Sequence, residues 1–138
     1  MSSDLVDLLP HRPPFRFVDS IEYCEPGQAA RGRYLVTGDE WFLNGHFPGN
    51  PVVPGVIQVE ALAQVGAVAI LSSTGYSQLL PLFGGIEKVR FRRVVRPGDA
   101  LVLEIELERL SGRGGWGKGR ATVDGETACE GRLLFAFA

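Results

Sequence analysis

The chain has 138 residues, 45% of them apolar, with 16 acidic against 14 basic side chains and a net charge of −2. This is the size of one ordinary domain (1–138) with enough apolar material for a core, which excludes a disordered chain. The slightly acidic balance argues against a dedicated nucleic-acid binder, whose surface is strongly basic.

Ser3-Asp4 ahead of Leu5, Val6, Leu8 and Leu9 reads as an N-capped short helix stopped by Pro10. Asp4 and Asp7 replace the basic stretch that a secretory signal needs. Phe15 to Tyr23 is a mixed apolar segment, expected as a strand on Phe17, Val18 and Ile21. Glu25-Pro26-Gly27 is a turn, and Ala29 to Thr37 alternates as a strand. A loop with Trp41, Phe42 and His46 follows. From Val56 to about Ser72 the chain is apolar on nearly every face, as in a helix wrapped on all sides and ended by Gly75. Its apolar core approaches membrane-spanning length. However, Gln58, Glu60 and Gln64 interrupt it, and a central acid is costly in lipid, so no membrane is implied.

The second half is β-rich: Ile86 to Val95, Ala100 to Leu110, Trp116 to Val123 and Thr127 to Phe137. Turn signals separate these runs, namely Arg96-Pro97-Gly98-Asp99, the segment 111–115, and Asp124-Gly125-Glu126. One long helix followed by an antiparallel meander makes an α+β fold, its sheet curled around the helix. Cys24 and Cys129 lie far apart with no CxxC or Cys/His spacing, and they read as reduced core thiols of a cytoplasmic protein, with a lone structural disulfide as the alternative.

Chemistry concentrates in Gly45-His46-Phe47-Pro48-Gly49-Asn50-Pro51 and the helix beyond it. His46 is one of two histidines and can exchange a proton near neutrality. Three prolines stiffen its loop, and three glycines allow close approach to the backbone. Glu60 is the only charged residue of the apolar run. Burial raises a carboxyl pKa and makes a proton donor near pH 7. Gln64, one turn on, either satisfies a purely structural acid or orients a working one. The N–H groups at the helix start, Gly55 first, form an oxyanion site. Lys88, Arg90 and Arg92 alternate on one strand face. They read as a solvated face or as a basic patch for an acidic partner. His11-Arg12 reads as structural.

Leu9-Pro10-His11-Arg12, the His46 loop, Val53-Pro54-Gly55-Val56, Glu60-Ala61-Leu62-Ala63-Gln64, Phe91-Arg92-Arg93 and Pro97-Gly98-Asp99 together resemble the (3R)-hydroxyacyl-[acyl carrier protein] dehydratases of type II fatty acid synthesis, the FabZ type. The resemblance implies a hotdog fold, a central helix wrapped by an antiparallel sheet. It also implies a homodimer with joined sheets, commonly a trimer of dimers. His46 of one protomer would take the α-proton of the thioester, and Glu60 of its partner would protonate the departing hydroxyl. Gly55 N–H would hold the thioester carbonyl, the Val52 carbonyl would orient His46, and Gln64 would support Glu60. The substrate would be an acyl-phosphopantetheine on acyl carrier protein, with Lys88, Arg90 and Arg92 as the carrier-protein patch. The reaction would use no metal or redox cofactor.

Glutamate at position 60, where the dehydratase/isomerase relatives have aspartate, implies dehydration without isomerisation. The chain departs from the family pattern at Pro14, Val53 and Leu82, the last standing where some members have a gating tyrosine. Two rivals share the fold: a thioesterase, which the His46 loop argues against, and an acyl-sensing regulator, for whose DNA-binding segment there is no room.

Overall fold

The computed structural model describes residues 5–138, so the expected Ser3-Asp4 cap lies outside them. The N–H groups of Leu8 and Leu9 bond back to the Leu5 and Val6 carbonyls in a short helical turn. Six strands follow: β1 (Ser20–Glu25), β2 (Ala29–Leu35), β3 (Pro81–Phe91), β4 (Ala100–Ser111), β5 (Gly114–Val123) and β6 (Glu126–Phe137). A 17-residue helix, α1 (Gly55–Leu71), lies between β2 and β3 in the chain. The strands form one antiparallel sheet in the order β1-β2-β4-β5-β6-β3. This is the expected α+β architecture of a curled sheet around a long helix.

The helix needs no polar face because the sheet wraps it. Every residue from Ile57 to Leu71 is buried except Glu60. Leu62, Val65 and Ile70 pack with Leu101, Leu103 and Ile105 of β4 and Leu133 of β6 in one core. Strand alternation supplies the other half of that core. In β2, Ala30, Gly32 and Tyr34 point inward, while Arg33 and Leu35 are exposed.

Three expectations are corrected. The segment 15–19 is not strand, because the Phe17 N–H bonds to Gln64 Oε1 at 2.8 Å, a side chain of the helix in place of a neighbouring strand. The helix ends at Leu71, within a residue of the expected Ser72, but Gly75 is not what ends it. The Ser72 N–H bonds the Val68 carbonyl and the Ser72 hydroxyl donates to the Ala69 carbonyl, while Gly75 lies in the turn beyond. Finally, β3 starts at Pro81 and ends at Phe91, earlier than the Ile86 to Val95 run, and it pairs with β6 instead of β4. Only β4-β5-β6 is a meander. The hairpin signal at 124–125 is accurate: Asp124 (φ 51°) and Gly125 (φ 81°) are both left-handed, as a type I′ turn requires. No helix among the described residues is long and apolar enough to cross a membrane.

Candidate active site

Two stretches position His46. The short 3₁₀ turn Trp41–Leu43 is anchored by buried Phe42 and Leu43, and the His46 N–H bonds the Leu43 carbonyl at 3.2 Å. On the far side, the Val53 N–H bonds the Val95 carbonyl at 2.8 Å, and the guanidinium of Arg96 reaches the side chain of Asn50. The loop between is tightly turned: Phe47, a non-glycine residue, has φ 58° and packs its ring 4.4 Å from the imidazole. His46 Nδ1 lies 2.7 Å from the Val52 carbonyl oxygen. That oxygen can only accept, so Nδ1 carries the proton and Nε2 keeps its lone pair free to act as a base.

His46 faces a cavity of about 650 Å³ that Val52, Gly55, Gln58 and Phe91 also line. The start of α1 opens into it. Pro54 precedes the helix, and no side chain caps its first N–H groups, so their partial positive charge stays available to an anion. A β-carbon at Gly55 would fall 2.7 Å from Cε1 of the exposed Phe91 ring, so any larger residue here has to displace that ring.

Glu60 lies in a different place. It lines a second cavity of about 200 Å³ with His11, Phe15, Ala63, Leu82, Phe83 and Phe135, none of which borders the first. One chain therefore does not bring its own His46 and Glu60 together. Burial pushes the Glu60 carboxyl above its ordinary 4.5, while a hydrogen bond from Gln64 Nε2 at 3.1 Å pulls the other way. Gln64 is wholly buried, and it also donates to the Phe15 carbonyl at 3.0 Å. It therefore ties segment 15–17 to the helix and fixes the acid at once.

His11, read as structural, proves to be a neighbour of the acid, with its Nε2 3.5 Å from Glu60 Oε2. No local pattern signals this, because the two residues are 49 positions apart.

Lys88, Arg90 and Arg92 do line one groove, on the sheet face opposite the helix, despite a bulge at Lys88 (φ 56°). Arg92 is paired with Glu130, which also stands opposite Arg90 in the ladder. Among the described residues no group of three or more His, Cys, Asp or Glu side chains is gathered as a metal cage. Cys24 and Cys129 are both free thiols, and burial pushes Cys129 up to about 11.

Residues 9–132 match the family model of the FabA-like domain. Proteins named 3-hydroxyacyl-[acyl-carrier-protein] dehydratase FabZ are close in sequence. The one from Caldicellulosiruptor saccharolyticus is 55% identical over 97% of this chain and 96% of its own length. That from Moorella thermoacetica is 57% identical over 94% of this chain and 90% of its own length. Among solved structures, the dehydratase heterocomplex ApeI:P from Xenorhabdus doucetiae superposes with a TM-score of 0.81 at 20% identity. That match covers 100% of this chain and 91% of that one and shows the shared fold. With its histidine loop, uncapped helix start and half-buried helical glutamate, the chain belongs to the FabA-like family and, within it, to the FabZ-type 3-hydroxyacyl-[acyl-carrier-protein] dehydratases.

Proposed function

We propose that this protein removes water from a (3R)-3-hydroxyacyl thioester held on acyl carrier protein, giving the trans-2-enoyl thioester of fatty acid synthesis. The observation that carries the chemistry is the pair of groups: an imidazole whose Nδ1 is engaged and whose Nε2 is free, and a carboxyl whose pKa burial raises. His46 Nε2 takes the proton α to the carbonyl. Charge developing on the thioester oxygen is met by the Gly55 N–H at the helix start. Glu60 gives its proton to the β-hydroxyl, the C–O bond breaks with its electron pair on oxygen, and water leaves. Every atom balances without a metal or a redox cofactor.

The two groups line separate cavities in one chain, so the site is completed by a second copy, with His46 from one protomer and Glu60 from its partner. The free edge of β3, with Leu82, Phe83 and Ile86 exposed, supports a dimer whose sheets join there, and the trimer of dimers is the further assembly we propose. Glutamate rather than aspartate at position 60 supports dehydration without isomerisation. We place the enzyme in the cytoplasm, as one domain over 1–138.

The test is hydration of a crotonyl thioester, the reverse reaction, together with dehydration of the carrier-linked hydroxyacyl substrate. His46→Ala and Glu60→Gln should each cost about 10²–10⁴-fold, the usual worth of general acid–base help. Near-full turnover in either variant would overturn the assignment. The basic groove is read as the carrier's docking face, with Lys88 its least compensated cation. Lys88→Glu combined with Arg92→Glu should raise KM for carrier-linked substrate and spare a small thioester. Equal loss on both substrates would remove the groove from the docking role.

A further inference from the structure

The chemistry above leaves His11 unused, yet among the described residues His11 is the one titratable side chain touching Glu60. Its Nε2 lies 3.5 Å from Glu60 Oε2, the oxygen that also accepts from Gln64. Both neighbours therefore approach Oε2. The ring is held in place: Phe15 stacks on it at 6.4 Å with 18° between the planes, and the His11 carbonyl accepts from the guanidinium groups of Arg12 and Arg16. The other ring nitrogen, Nδ1, is buried with no hydrogen-bond partner among the described residues. A proton on Nδ1 would be an orphaned buried donor. A proton on Nε2 leaves only a bare acceptor behind and places an N–H beside the carboxyl, across a 3.5 Å contact that is longer than an ordinary hydrogen bond.

Resting on the dehydratase reading, we propose that His11 is a positioning residue for Glu60. Its Nε2–H holds Oε2 of the carboxyl, so that Oε1 carries the transferable proton towards the reacting hydroxyl. As Glu60 gives up that proton, the His11 contact becomes a hydrogen bond to a carboxylate and strengthens. His11 itself neither gains nor loses a proton. It has to stay neutral for this role, and burial first, then neighbouring Arg16, lowers its tendency to protonate.

Few charges face the pair. Arg16 lies beside His11, with Asp7 beyond it at 3.5 Å, and Arg12 reaches the His11 carbonyl. Helix α1 offers only the neutral Gln64. The strand residues lining this cavity, Pro81, Leu82 and Phe83 of β3 and Phe135 of β6, do not titrate.

The test follows the Glu60 carboxyl directly, by carbon-13 NMR titration of the ligand-free protein with Glu60→Gln assigning the signal, beside pH profiles of turnover. In His11→Phe the Glu60 titration should move to higher pH, because a donor to the charged form is gone. The alkaline limb of kcat should move with it, and plateau kcat should fall about tenfold with KM little changed, the loss expected for one hydrogen bond to a charged group. His11→Gln, which can present an amide N–H to the same oxygen, should restore both. A Glu60 titration unmoved in His11→Phe, or equal effects of Phe and Gln, would overturn the proposal. Since the titration is read without substrate, it decides the His11 contact alone, whereas turnover of Glu60→Gln decides the dehydratase reading alone.

Discussion

Burial raises the Glu60 pKa above 4.5, so the carboxyl that suits the reaction is a burden on the fold. The protonated acid is accommodated among the buried residues of α1, and the carboxylate is not. The favourable contribution is therefore complete below pH 4.5 and is lost as pH rises through the raised folded-state value. Glu60→Gln keeps the acceptor for Gln64 Nε2 and removes the charge. Its melting temperature should exceed that of the parent at pH 8, and the gap should close as pH falls towards 4.5. Thermal melts across this range check it, and a variant less stable than the parent at pH 8 would mean that ionised Glu60 is well paired. The strangeness of Glu60 is legible in sequence, because no other charge interrupts its apolar run, and so is Gln64 one turn away. His11 is not legible as its neighbour. The approach depends on how segment 10–17 folds back across the helix, which no local periodicity encodes.

At the scale of elements, period-two alternation places most strands, and it writes a charge row on the outer face. Register aligns Arg31, Glu104, Arg120, Glu130 and Arg90 across β2, β4, β5, β6 and β3, alternating in sign at each step. Such cross-strand pairs contribute together more than any isolated surface bridge. Glu104→Arg would set a cation between Arg31 and Arg120, and should cost on the order of 1 kcal/mol at low salt. The loss should shrink in molar salt, where the Debye length falls to about 3 Å. Urea unfolding at the two salt levels reads it, and an unchanged low-salt midpoint would show the row to be inert. The row also tempers the basic reading of β3, since Glu130 offsets Arg90 and Arg92. What alternation does not encode is partnership. The turn at 96–99 looks like a hairpin, but its backbone and Asp99 side chain are spent within the turn and on Val36. The strand before it is thereby freed to cross to β6.

For the whole molecule, helix and wrapped sheet could be anticipated from one long apolar run and the β-rich half that follows it. The proposed site is not legible in one chain, where His46 and Glu60 open into different cavities. Symmetry turns that separation into a sharp test. In the proposed two-fold dimer each site would take His46 from one protomer and Glu60 from the other. A mixed dimer of one His46→Ala chain and one Glu60→Gln chain then has one site with both defects and one with neither. Co-expression with two different tags, dissociation of any higher assembly to dimers and purification through both tags isolates that species. It should recover about half the parental turnover per dimer, since a two-fold pair holds two equivalent sites, although each parent variant alone is nearly inactive. If His46 and Glu60 instead served the same site from one chain, every site in the mixed dimer would keep one defect and no activity would return.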